Sequence, residues 1–240
     1  MKRIAIITAR AGSKRLRNKN IIDICGKPMI AYSIEAALES KLFDRVIVST
    51  DSELYREISL RYGAEVIMRS AELASDTASS FMVLEDVIKK TGGDFDYFML
   101  LQPTSPLRTV QNIIDACNQF EARMEDMDFL ISVVKAHLPS KYVKPIAEDG
   151  STKYFVDNEP PRRTQDYHEY TPNGAIYIAK PDAYLEVQNF MGPKSLAFIM
   201  NEEDSADVDN YIDYLTACCV IARRNGAKSI TFPDVDSSIL

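Results

Sequence analysis

Five basic residues crowd into ten positions near the start of the chain, within Arg10-Ala-Gly-Ser-Lys-Arg-Leu-Arg-Asn-Lys19-Asn20. Gly12 lets the backbone turn sharply and approach a ligand closely. Successive backbone N–H groups, Ser13 and the side chains of Arg10, Lys14 and Lys19 could cradle a triphosphate. The spacing is that of neither a Walker A loop nor a Gly-x-Gly-x-x-Gly turn, and the rival reading is a solvated basic loop. Near the other end stands Asp207-Val208-Asp209. Carboxylates two residues apart on an extended segment point to the same side. With triphosphate oxygens they would make a Mg²⁺ site; the rival is that Asp209 merely caps a helix while Asp207 is solvated. Leu100-Leu-Gln-Pro-Thr-Ser-Pro-Leu-Arg108 carries a rigid, twice-prolined turn with Gln102 free to present an amide to a sugar or base. Turn chemistry alone would explain it equally well. Arg162-Arg163 suits a carboxylate or phosphate, and Pro172-Asn173-Gly174 is a turn signal.

These residues need elements to position them. Short apolar runs at Ile4–Ala9, Arg45–Thr50, Glu65–Met68, Tyr97–Leu101 and Phe129–Val134 read as strands. Helical patterns alternate with them: from Gly26-Lys-Pro28 through Leu38, from Asp51-Ser52 to Tyr62, over Thr77–Lys90 and over Thr109–Arg123. Strand and helix in alternation predict an α/β domain, a largely parallel sheet with helices on both faces. Such sheets bind ligands at the carboxyl ends of their strands. The loops there are Arg10–Asn20, Asp51, Arg69–Asp76 and Gln102–Arg108, so the polar clusters and the expected ligand edge coincide. The alternation stops near Lys135. Residues 136–195 read as an inserted arm, polar, proline-punctuated and rich in Tyr, with strand character returning at Ala175–Ala179 and Lys194–Met200 and a last helix over Asp209–Arg224. The nucleotide-binding domain is then 1–135 with 196–240.

Composition narrows the class. The chain of 240 residues is 46% apolar and 26% charged, as expected for a globular domain. Its net charge of -7 argues against general nucleic-acid binding. No apolar run approaches the roughly 20 residues of a membrane span, and none suits a signal-peptide core, which points to a cytoplasmic protein with no membrane partner. Cys25, Cys117, Cys218 and Cys219 form no C-x-x-C pair and read as free thiols. His137 and His168 alone make a His-rich zinc site a poor fit.

Together the clusters resemble the acylneuraminate cytidylyltransferase family. The matching stretches run in order along nearly the whole chain: Ala9-Arg-Ala-Gly-Ser-Lys14, Lys19-Asn20, Val48-Ser-Thr-Asp51, Arg69, Ala71–Ser79, Leu100–Arg108, Pro172–Tyr177 and Asp207-Val-Asp209. The resemblance implies a Rossmann-like nucleotidyltransferase sheet with an inserted dimerisation arm, and hence a homodimer. It implies CMP transfer from CTP to N-acetylneuraminate or a related nonulosonic acid. Arg10 and Lys19 would hold the phosphates, and Ala11, Ser13, Lys14, Asn20, Arg69 and Ser79 or Ser80 would complete the CTP site. Asp207 and Asp209 would bind Mg²⁺. Gln102, Arg162 and Tyr177 fall on the sugar side, and Phe190 and Met191 where the family's arm reaches the partner's sugar pocket. The chain departs from the family at Thr8, where Pro is usual, and in Arg162-Arg-Thr-Gln-Asp166, where Thr164 is inserted. Rival substrates are legionaminic, pseudaminic and 3-deoxy-octulosonic acids, a GDP-forming relative is conceivable, and a non-catalytic nucleotide sensor is a rival of another class.

Overall fold

The computed structural model describes residues 1–13, 16–75, 77–155 and 168–229. In chain order its strands are β1 (Arg3–Ala9), β2 (Asp23–Ile24), β3 (Lys27–Pro28), β4 (Arg45–Thr50), β5 (Glu65–Met68), β6 (Tyr97–Leu101), β7 (Phe129–Lys135), β8 (Tyr170–Ala179) and β9 (Ser195–Ile199). Its helices are α1 (Met29–Ser40), α2 (Glu53–Arg61), α3 (Ser80–Thr91), α4 (Val110–Glu121), α5 (Pro181–Val187) and α6 (Tyr211–Arg224). β2 and β3 form a minimal hairpin, and the other strands build a 7-stranded sheet in the order β5-β4-β1-β6-β8-β7-β9. Neighbours pair in parallel except around β8, which runs antiparallel to both β6 and β7.

The period of two along each strand explains why both faces are covered. In β1, Ala5, Ile7 and Ala9 join Val48, Met99 and Leu101 on one face, where Ile30 and Ile34 of α1 and Ile113 and Phe120 of α4 pack. The alternate residues Ile4 and Ile6 join Ile47, Phe98 and Leu100 on the other, against Leu84 and Val87 of α3 and Tyr184 of α5. Each fully buried aliphatic or aromatic side chain contributes about 1.5–3 kcal/mol, so shifting a strand by one residue would expose a whole row of them.

Helix starts follow local chemistry. The Ser52 and Ser79 hydroxyls accept from the Tyr55 and Met82 N–H groups, and Thr109 and Asn210 begin reciprocal capping boxes with Asn112 and Asp213. Ser79 as cap is why α3 begins at Ser80, three residues later than the apolar pattern suggests. Asn210, not Asp209, caps α6.

β8 and the first residue of β9 fall within residues 136–195. β8 lies inside the main sheet between β6 and β7, and β9 extends it, so much of 136–195 belongs to the core. The physical reason is edge satisfaction: β6 and β7 need a strand between them, and β8 supplies both ladders. Beyond the sheet, 136–155 is an excursion of short turns bearing Leu138, Val143 and Ile146 at 59%, 67% and 62% exposure.

Candidate active site

Strand order reverses at β1, with β4 on one side and β6 on the other. A crevice opens at such a point at the carboxyl ends of the strands, and here it is a cavity of about 690 Å³. The basic loop leaves β1 directly into it: Arg10, Ser13, Lys19 and Asn20 line its wall. Both ends of the loop are tethered. The Asn20 amide donates to the Arg10 carbonyl at 3.1 Å, and the Ala11 N–H donates to Asp51 Oδ1 at 3.0 Å. Ala11 therefore fixes the loop through its backbone, and that N–H is already engaged. Leu16 is fully buried in a cluster with Leu107, Val208 and Tyr214.

That same cluster positions the acidic pair. Val208 is 0% exposed and its N–H donates to the Thr104 carbonyl at 2.7 Å. With Val208 turned into the protein, its neighbours Asp207 and Asp209 turn the other way, onto the cavity wall. Leu16 and Val208 thus use apolar burial to bring a cationic loop and two carboxylates together. Lys19 Nζ meets Asp209 Oδ1 at 2.7 Å. Asp207 opens to the cavity but is walled by protein. Desolvation raises its carboxyl above the ordinary range, and the nearby Asp209 adds to this; Thr104 and Lys19 pull the other way. Lys19 meets one of the two carboxylates, and both stand on one cavity wall, the donor chemistry that a cation-binding site requires.

On the β5 side, Arg69, Ser79 and Ser80 reach the cavity. Arg69 is 9% exposed, its guanidinium donates to the Ser49 carbonyl, and its Nε has no hydrogen-bond partner. Burial lowers its pKa and nearby Arg10 adds to that, while Asp51 opposes both. Ser79 and Ser80 place the N-terminus of α3 at the wall, a position that favours anionic groups.

On the β6 side, Gln102 and Thr104 reach the cavity. The Gln102 turn is held from behind by Arg108, a residue sequence reasoning did not single out, which is 4% exposed. Its guanidinium donates to the Gln102 carbonyl at 3.3 Å, to the Ala175 carbonyl at 2.8 Å and to the Ser33 hydroxyl. Gly174 was read only as turn chemistry. It has φ +77, and a Cβ there would lie 2.9 Å from Gln102 Oε1 and 3.4 Å from Asp207 Oδ2. Only a residue without a side chain lets β8 pass so close to both.

Tyr177 stands behind this wall, its ring 5.0 Å from that of Phe190, and burial, then Asp207, raises its phenol pKa. Within its own chain Phe190 is 8% exposed and packs on Phe98, Tyr177 and Tyr184. An aromatic ring gains more from that apolar pocket than from solvent, and the exposed neighbour is Met191, at 48%. Lys14, Arg162 and Arg163 lie outside the described residues.

The four thiols form no disulfide. Among the described residues no cluster of three His, Cys, Asp or Glu could hold a metal, and no helix is long and apolar enough to cross a membrane.

A family model described as cytidylyltransferase matches residues 4–201. The N-acylneuraminate cytidylyltransferase of Escherichia coli O18:K1:H7 is 41% identical over 237 residues, 98% of this chain but 56% of that protein. The pseudaminic acid cytidylyltransferase of Campylobacter jejuni serotype O:2 is 33% identical over 89% of this chain and 93% of that protein. The chain spans about half the length of the N-acylneuraminate relatives it matches. A solved CMP:2-keto-3-deoxy-manno-octonic acid synthetase complexed with CTP superimposes with a TM-score of 0.72 over 93% of this chain and 100% of that one, at 19% identity, a likeness of fold.

Proposed function

This chain belongs to the cytidylyltransferase family, and we propose that it transfers CMP from CTP to N-acetylneuraminate or a closely related nonulosonic acid, releasing pyrophosphate. The observation that carries the reading is the cavity in which Arg10 and Lys19 face Asp207 and Asp209, with Lys19 and Asp209 in contact at 2.7 Å. Cations for a triphosphate and carboxylates for a counter-ion meet at one point.

The nucleotide lies toward β4 and β5, with Arg10, Lys19, Ser13 and Asn20 on its phosphates and Arg69, Ser79 and Ser80 about the cytidine. The acceptor lies toward β6 and β8, beside Gln102, with Tyr177 behind it. Its anomeric hydroxyl oxygen bonds to the α-phosphorus as the bond from that phosphorus to pyrophosphate breaks, and the hydroxyl proton passes to solvent. Arg10 and Lys19 neutralise the charge gathering on the departing pyrophosphate. Asp207 and Asp209 fit Mg²⁺: one or two carboxylates completed by substrate phosphates is its usual protein site, and both side chains line the cavity that Arg10 and Lys19 also line. When bound, Mg²⁺ would neutralise phosphate charge and help orient the triphosphate. The exposed apolar residues along 136–155, with Met191, support a homodimer that covers this excursion. The free thiols suit the reducing cytoplasm.

The test is pyrophosphate release with each of the four nucleoside triphosphates against N-acetylneuraminate, legionaminate, pseudaminate and 3-deoxy-octulosonate. Release with CTP and N-acetylneuraminate is expected. Release only with GTP, or CTP binding without turnover on any acid, would overturn the reading in favour of a GDP-forming enzyme or a nucleotide sensor.

A further inference from the structure

Arg108 presents a physical puzzle. It is 4% exposed, and among the described residues no carboxylate pairs with it. A buried guanidinium without a counter-charge is costly. Neutral groups satisfy it in part: the carbonyls of Gln102 and Ala175, at 3.3 and 2.8 Å, and the Ser33 hydroxyl. Its Nε has no partner. A hydrophobic residue could fill such a site at less cost, so packing alone does not account for an arginine.

Its contacts explain what it joins. Ser33 belongs to α1, Gln102 opens the turn after β6, and Ala175 follows Gly174 on β8. These elements come from 75 and 67 residues away in the chain as well as from the arginine's own turn. The planar fork of one guanidinium spans all of them, which a lysine ammonium cannot reproduce. The joined backbone carries Gln102 and Gly174, whose spacing from each other and from Asp207 leaves no room for even a methyl group. A second device clamps the same stretch of β8. Asn173 is 6% exposed; its amide donates to the Ser205 hydroxyl at 2.9 Å, and its carbonyl accepts from the Ala175 N–H at 3.2 Å. All of this lies on the β6–β8 half of the cavity, across β1 from Arg69 and the N-terminus of α3.

We propose that Arg108 is a positioning residue for the acceptor subsite: its buried fork sets the register of the Gln102 turn against Gly174, and so the place where the sugar acid is held relative to Asp207. The assignment rests on the transfer reaction proposed above. It separates the halves of the cavity, because the nucleotide contacts hang from other strands.

Arg108→Met, Arg108→Lys and Ser33→Ala are compared with wild type for CTP affinity by calorimetry, for the KM of CTP and of the acceptor, and for thermal melting. Arg108→Met should raise the acceptor KM about tenfold or more and lower kcat, with CTP affinity within about twofold of wild type. Arg108→Lys should recover only part of the loss, and Ser33→Ala should raise the acceptor KM by about threefold. A folded Arg108→Met with an unchanged acceptor KM overturns the assignment, as does an equal loss of CTP affinity, which would mark general collapse. If Arg108→Met does not fold, Arg108→Lys and Ser33→Ala decide: unchanged acceptor KM in both overturns it. A wild type that transfers CMP to no acid sinks the reaction itself, a result distinct from an active wild type whose Arg108 variants bind acceptor normally.

Discussion

The opposite edges of the sheet carry the same kinds of side chain and use them differently. At the amino edge charges are matched. Arg3 and Tyr97 both reach Glu121, at 2.8 and 2.6 Å, and Asp128 sits between Lys180 and Lys194, at 2.7 and 3.3 Å. Asp44 and Asp96 accept from the Arg3 and Lys2 backbone N–H groups. At the carboxyl edge matching is incomplete: the Arg69 guanidinium donates to the Ser49 carbonyl rather than to a carboxylate, and Asp207 is held in a setting that disfavours its charge. Charges neutralised by the fold fasten it; charges left over by the fold await a ligand. Perturbed groups gathered in a cleft mark a functional site for that reason.

The strongest way to break this contrast is at the acidic pair. Asp209→Asn should abolish nearly all turnover at any Mg²⁺ concentration while the melting temperature stays within a few degrees, and EDTA should silence the wild type. Full turnover after chelation would end the metal reading. Next, Arg10→Ala should lower kcat/KM by about a hundredfold or more, the cost of removing a fixed donor to developing negative charge. Normal CTP turnover in that variant would return the loop to a solvated surface. At the amino edge, Glu121→Gln should leave kcat unchanged and cost about 1–3 kcal/mol of stability, since it weakens the partners of Arg3 and Tyr97; denaturant melts beside kinetics separate these outcomes.

The smallest effect sharpens the comparison by its sign. Hydrogen bonding to Lys180 lowers the Asp128 carboxyl pKa, against desolvation and with help from Lys194. Its stabilisation is present above the ordinary carboxylate range and is lost as pH falls through the lowered value. Asp207 is raised, chiefly by desolvation. The folded state then binds the extra proton, so its penalty is absent in acid and grows as pH rises from the ordinary range through the raised value. Without ligand, Asp128→Asn should destabilise at pH 7, whereas Asp207→Asn should stabilise. Both differences should fade in acid. Melts of the two variants from pH 3 to 8 with the same sign would refute the contrast.

Strands were legible where apolar runs have sharp ends: Arg45–Thr50, Glu65–Met68 and Tyr97–Leu101 coincide with β4, β5 and β6. β8 was legible only in its apolar part, Ala175–Ala179, because Tyr170-Thr-Pro-Asn has a polar, turn-like composition and passes through an irregularity opposite Ile131–Val133. Strand order was not legible, since nothing near β8 in sequence says that it enters between β6 and β7. In the site, charged residues at loop positions were readable from type and spacing. Leu16, Arg108 and Gly174 were not, because their partners lie far away in the chain. A signal existed at Arg108, a lone cation directly after Ser-Pro-Leu in an apolar turn, but burial is settled by α1 and β8. The surroundings of Phe190 likewise come from distant elements, β6, β8 and α5.

The late arrival of β8 has a consequence for synthesis. A chain emerging from the ribosome can assemble β1, β4, β5 and β6 with their crossover helices from local pieces. β6 then has one free edge, and β7 has no partner within the emerged chain, until residues 170–179 and 195–199 appear. Through that interval the nascent chain carries open, strongly apolar ladders of the kind that recruit other chains. A product terminated after residue 135 should collect in the insoluble fraction, and translation speed across 136–169 should set how much full-length protein is recovered.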